Sequence, residues 1–193
     1  TRRLQEGSSG SGITLNTLFQ MSWGILLSKY SNKSDVIFGS VVSGRPVELE
    51  GIEQMVGLFI NTLPVRIRYE EDSDITQLLQ ESQKKALEAE PYSCYPLRSI
   101  QSLTKLGKDL FDHIIVFENY PMSAYLERDN DYTISNIQVF DQVNYDLMLV
   151  VIPEREFKIR FNYNANVYND DLILQISGHL KEILRLITPK NEQ

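Results

Sequence analysis

Few residues in this chain are of types that could carry acid–base or nucleophilic chemistry. Among 193 residues there are two histidines and one cysteine. His113 lies inside the apolar run LFDHIIVFE, and His179 lies near the apolar face of a C-terminal helical segment. Either imidazole could act as a general base, but both settings favour a satisfied core or boundary histidine. His179 and Glu182 form an HxxE pair. Two ligands without a third do not make a metal site, so the pair reads as an i,i+3 contact on a helix surface. Cys94 sits among tyrosines with no flanking base, which argues against a nucleophile. No GxSxG, phosphate-binding loop or GxGxxG occurs. The residues therefore describe a scaffold that lines a site without supplying its acid or base.

Two segments could form such a lining. Ser43-Gly44-Arg45-Pro46 breaks regular structure. Its glycine would let backbone approach a ligand while the guanidinium points at an anion or a carbonyl, and the plainer alternative is a turn with a solvated arginine. The second segment, residues 56–68, reads VGLFINTLPVRIR. It leaves as an alternating strand, with Val65 and Ile67 on one side and Arg66 and Arg68 on the other. Asn61 and Thr62 interrupt its apolar run where burial should be greatest, and a buried amide must be hydrogen-bonded. On the residues alone this is a strand with one internally satisfied asparagine.

The elements that position these segments follow from periodicity. Residues 13–30 form a helix, apolar around much of its circumference and capped by Thr14. Residues 36–42 form a buried strand in which Gly39 marks a weak point or a close approach. Asp72, Ser73 and Asp74 offer caps for a helix whose face is Ile75, Leu78, Leu79, Ser82, Ala86 and Leu87. Pro91 ends it, and a short helix follows over 97–103. Residues 110–118 read as a central strand, 132–143 as an imperfect one, and 145–152 and 157–163 as a hairpin. A last helix carries Leu172, Ile176, His179, Leu180, Ile183 and Leu184. The order predicts a mixed sheet with helices on one face. GSSGSG, residues 7–12, cannot continue a helix and has the low complexity of a designed linker, so 1–12 is set apart from a domain over 13–193.

A net charge of −7 argues against a nucleic-acid groove as the main function. No apolar run reaches the length of a membrane span, and no signal peptide is recognisable. With a single cysteine, this fits a cytoplasmic protein.

Taken together, FGSVVSGRP (38–46), VGLFINTLPVRIR (56–68), LFDHIIVFENYP (110–121) and YDLMLVV (145–151) resemble the condensation domains of non-ribosomal peptide synthetases. The likeness is to the bacillus-type antibiotic synthetases, such as those for tyrocidine and gramicidin S. It implies a chloramphenicol-acetyltransferase-like α/β sandwich, of which this chain is similar to the C-terminal lobe. The family's HHxxxDG motif belongs to the first lobe and is absent here. The resemblance implies peptide-bond formation between thioesters held on phosphopantetheine arms of peptidyl carrier domains, with an adenylation domain as neighbour and no cofactor bound directly. It places Ser43, Gly44 and Arg45 in a loop flooring the tunnel between lobes. Gly57, Phe59, Asn61, Thr62 and Arg66 fall in a motif at the lobe junction, and residues 119–143 fall in a crossover to the other lobe. That crossover is expected to be mobile without its partner. Two later motifs depart from the family pattern, YSCYPL near 92–97 and KDLFDH at 108–113. An epimerisation-type lobe and a carrier-docking scaffold are the alternatives.

Overall fold

The structure, a computed structural model, describes residues 12–45, 50–70, 72–118, 144–153 and 156–188. Helix α1 (Leu15–Ser31) is the element on which the others pack. The Thr14 hydroxyl accepts from the Thr17 amide, and Asn32 closes the helix in the left-handed region at φ 53°. Its weak amphipathicity has a simple cause. Residues all round it, among them Leu18, Phe19, Met21, Trp23 and Leu26, are buried.

Five strands form one mixed sheet: β1 (Asp35–Ser43), β2 (Ile60–Arg68), β3 (His113–Phe117), β4 (Leu147–Pro153) and β5 (Phe157–Tyr163), in the order β2-β1-β3-β4-β5. The β1–β3 and β3–β4 pairs are parallel, and the two outer pairs antiparallel. Alternation divides each strand between two cores. Phe38, Ile67, Ile115, Leu147, Leu149 and Val151 face α1, α2 (Ile75–Ala89) and α4 (Asp170–Ile187). On the opposite face Ile114, Met148 and Val150 pack with Leu110, Phe111 and Tyr145. There they meet the short helix α3 (Leu97–Ser102) through Leu97 and Ile100. The three long helices lie on one face as expected, and the short one supplies the other. Gly39 is a close approach: a Cβ there would stand 2.6 Å from the Phe111 ring.

Strand β2 forms one edge of the sheet. The Gly44 and Tyr69 amides donate to the carbonyls of Phe59 and Ser34, which fixes the hydrogen-bonded register of the β1–β2 ladder. Counting from those pairs, Pro64, opposite Gly39, falls at a non-hydrogen-bonded position. It therefore removes an N–H from the open side, as edge strands that resist further pairing do.

Several expectations need correction. Val56, Leu58 and Ile60 are 103%, 91% and 57% exposed, so the apolar run before β2 is not buried. Val56 and Leu58 precede the sheet, and Ile60 opens β2 opposite Ser43. Val65 and Ile67 do face the core, with Arg66 and Arg68 exposed. Ala86 and Leu87 are also exposed, because only the first half of α2 reaches the core, through Ile75, Leu78 and Leu79. The central strand begins at His113 rather than at residue 110, since Gly107–Leu110 is a 3₁₀ turn. His179 is exposed, and Ile173 takes a core place on α4 beside Ile176, Leu180 and Leu184. The linker over 7–11, the strand expected over 132–143 and the crossover over 119–143 fall outside the described residues.

Candidate functional site

The structure brings three separated segments together at Gly44. Ser43 ends β1 opposite Ile60, and the Gly44 amide donates to the Phe59 carbonyl at 2.5 Å. A Cβ on Gly44 would lie 2.7 Å from that carbonyl oxygen, 3.5 Å from the Ser93 oxygen and 3.7 Å from the Cys94 Cα. Only glycine allows this convergence of β1, the entry to β2 and the 93–95 loop.

Arg45 is half-buried and is committed to the main chain. Its guanidinium donates to the carbonyls of Ile52 and Met55 and lies 4.1 Å over the Phe59 ring. Gly57 lies against the same ring. The Asn61 carboxamide nitrogen donates to the carbonyls of Ser93 at 2.8 Å and Tyr95 at 2.7 Å. The Asn61 amide nitrogen is thus satisfied internally, and its function in the geometry is to pin the loop around Cys94. Thr62 faces the second core, its methyl beside the space above Gly39. The carbonyl acceptors at Ile52, Met55, Ser93 and Tyr95 were not identifiable from residue types, because every residue carries that group.

Arg66 lies away from this cluster. It forms a bidentate pair with Asp35 at 2.8 and 2.5 Å, toward the other end of β2. The hydrogen bond from Arg66 holds the Asp35 carboxyl below its ordinary value.

The histidines are placed differently from each other. His113 is buried, and its Nδ1 lies 2.6 Å from the Asp112 carboxylate. His179 does not meet Glu182. Its Nδ1 pairs with the Tyr30 hydroxyl at 2.8 Å, while Arg185 takes Glu182 at 2.8 Å. The tyrosine contact joins α1 to α4 and orients the imidazole away from the helix's own carboxylate. Cys94 is a free, exposed thiol. Among the described residues no group of three His, Cys, Asp or Glu side chains could hold a metal, and no helix is long and apolar enough to cross a membrane.

A cleft of about 530 Å³ opens on the sheet face opposite the long helices. Ile37, Phe111 and Tyr145 line its apolar side, with Lys108, Asp109 and Asp112 around them. The Phe111 and Tyr145 rings stack at 5.7 Å, and burial pushes the Tyr145 hydroxyl up.

Two outcomes test this reading. Asn61→Asp keeps the shape but replaces a donor with an acceptor facing two carbonyls. It is expected to destabilise the fold by about 1–3 kcal/mol in denaturant unfolding, and wild-type stability would contradict the clasp. Asp35, with its lowered value, stabilises the fold above the ordinary carboxyl value of 3.8. That contribution is lost as pH falls through the folded-state value. Arg66→Ala should remove this part of the acid limb in stability measured against pH, and an unchanged limb would show that the pair contributes nothing.

The condensation-domain model matches residues 1–193. The chain is 45% identical over 192 residues to a plipastatin synthase of Bacillus subtilis, covering 96% of this chain and 8% of that protein. It is 43% identical to gramicidin S synthase 2 of Brevibacillus brevis, covering 95% and 4%, and 40% identical to tyrocidine synthase 2 of Brevibacillus parabrevis, covering 95% and 5%. It therefore spans less than a tenth of each of these relatives. A holo four-domain nonribosomal peptide synthetase bound to AMP and glycine superposes with a TM-score of 0.82 at 17% identity, over 97% of this chain and 16% of that one. The first condensation domain of the calcium-dependent antibiotic synthetase, in complex with a substrate analogue, superposes at 0.73 and 14% identity, over 97% and 42%. These structures share the fold, and the sequence relatives and the matching model carry the assignment: the chain belongs to the condensation-domain family of non-ribosomal peptide synthetases.

Proposed function

We propose that the chain is the C-terminal lobe of a condensation domain that joins carrier-bound aminoacyl or peptidyl thioesters through peptide bonds. In this reading it supplies walls and not catalytic groups. The observation that carries it is the cluster at Gly44. The Arg45 guanidinium and the Asn61 carboxamide are both directed at backbone carbonyls, while Val56 and Leu58 beside them stand in solvent. An apolar ridge of this kind marks a surface made to be covered.

The ridge faces the N-terminal lobe, whose HHxxxDG motif would supply the proton transfer this chain lacks. Ser43, Gly44 and Arg45 floor the tunnel. Gly57, Phe59, Asn61 and Thr62 shape the junction, and Arg66 holds β2 to β1 further away. Phosphopantetheine arms on two carrier domains, with an adenylation domain as neighbour, bring amine and thioester into the tunnel. There alignment and hydrogen bonding to the tetrahedral oxygen do the work.

The test combines this chain, an HHxxxDG lobe supplied in trans and two loaded carriers. Amide product is expected only when both lobes are present, and Val56→Ser with Leu58→Ser should abolish co-elution of the lobes while leaving the fold intact. Product from the chain alone would overturn the reading. Carrier binding with no need of the second lobe would make the chain a docking module instead.

A further inference from the structure

Two buried polar atoms lie on neighbouring rings at the contact between α1 and the centre of the sheet. Trp23 and His113 are 1% and 7% exposed, with ring centroids 5.6 Å apart and planes at 67°. Trp23 Nε1 and His113 Nε2 have no hydrogen-bond partner among the described residues. One turn earlier on α1 the corresponding polar contact is complete, with Gln20 donating to the Ser40 hydroxyl at 2.9 Å.

The chemistry of the two atoms is complementary. An indole Nε1–H can only donate. The Asp112 carboxylate can only accept, and the bond from His113 holds its carboxyl below the ordinary range, so Nδ1 carries the hydrogen. In the neutral ring Nε2 is then an acceptor. A donor lacking an acceptor and an acceptor lacking a donor sit on rings in contact, where leaving both unmet is costly.

We propose that one bridging water joins Trp23 Nε1–H to His113 Nε2, so that Asp112, His113 and Trp23 form a polar chain from the surface into the seat of α1. His113 is thereby a positioning residue for α1.

Among the described residues, few charged groups surround the ring. α1 presents Trp23 to the ring and has Lys29 as its one charged residue, six positions on. β1 presents Phe38, stacked at 6.2 Å, and its Asp35 is held by Arg66. β4 places Leu147 opposite His113 and carries no charged residue. Asp112 and Asp146 remain, together with Tyr168, which burial and then those two carboxylates push up.

Nitrogen NMR on the full chain, labelled at histidine and tryptophan and titrated with acid, tests the proposal. Near neutral pH, His113 is expected to carry its hydrogen on Nδ1 with Nε2 bare. The indole N–H shift of Trp23 should move with the His113 titration and not with that of the exposed His179. In His113→Phe that co-titration should vanish, and the indole N–H should exchange about tenfold faster, the loss of one net hydrogen bond. A hydrogen on Nε2 near neutral pH, or an indole signal indifferent to His113, would overturn it. The wild-type measurement decides the matter even if the variant does not fold, and it does not depend on peptide-bond formation.

Discussion

Asn61 directs its amide hydrogens at two carbonyls on a loop more than thirty residues away in sequence, and the rest of the candidate site depends on that clasp. The Gly44 amide meets the Phe59 carbonyl beside it, and Arg45 meets those of Ile52 and Met55. Each bond contributes about 1 kcal/mol net. The single amide within this apolar run is therefore explained by backbone geometry. The same bonds commit the Arg45 guanidinium and the Asn61 amide nitrogen to the main chain.

The clasp rests on a sheet that is buried on both sides. α1 is enclosed by β-strands beneath it and by α2 and α4 beside it, so its apolar residues run round the helix. The opposite face carries its own core, closed by α3 and the 3₁₀ turn before β3. Strand β1 pairs with β2 and β3, and it ends in the loop that meets Asn61's segment. Packing at the centre of the domain thus sets the position of Gly44 at its edge.

Much of this was legible in the residues. The caps at Thr14 and Asp74, the alternation of Val65 and Ile67, and the 145–163 hairpin follow from local rules that the fold obeys. Family membership was legible as well, because it lies in side chains at fixed spacing. The exposure of Val56 and Leu58 was not, since an apolar run carries no mark of whether a strand lies beside it. The end of α2 was misjudged for a related reason: periodicity identifies a face but not how far its partner extends. His179 looked toward Glu182 by spacing alone, while Tyr30, almost 150 residues earlier, holds it instead. The acceptors of Asn61 and Arg45 are main-chain oxygens, which no residue type announces.

The central claim is that the VGLFINT segment builds the wall of a site and takes no part in bond making. The most direct measurement is the rate of peptide-bond formation by a complete two-lobe domain carrying Asn61→Ser, assayed with saturating carrier substrates well below its melting temperature. The account predicts a lowered melting temperature with the maximal rate kept within a few-fold of wild type. A loss of rate of a hundredfold or more at unchanged stability would contradict it and place Asn61 among the reacting groups.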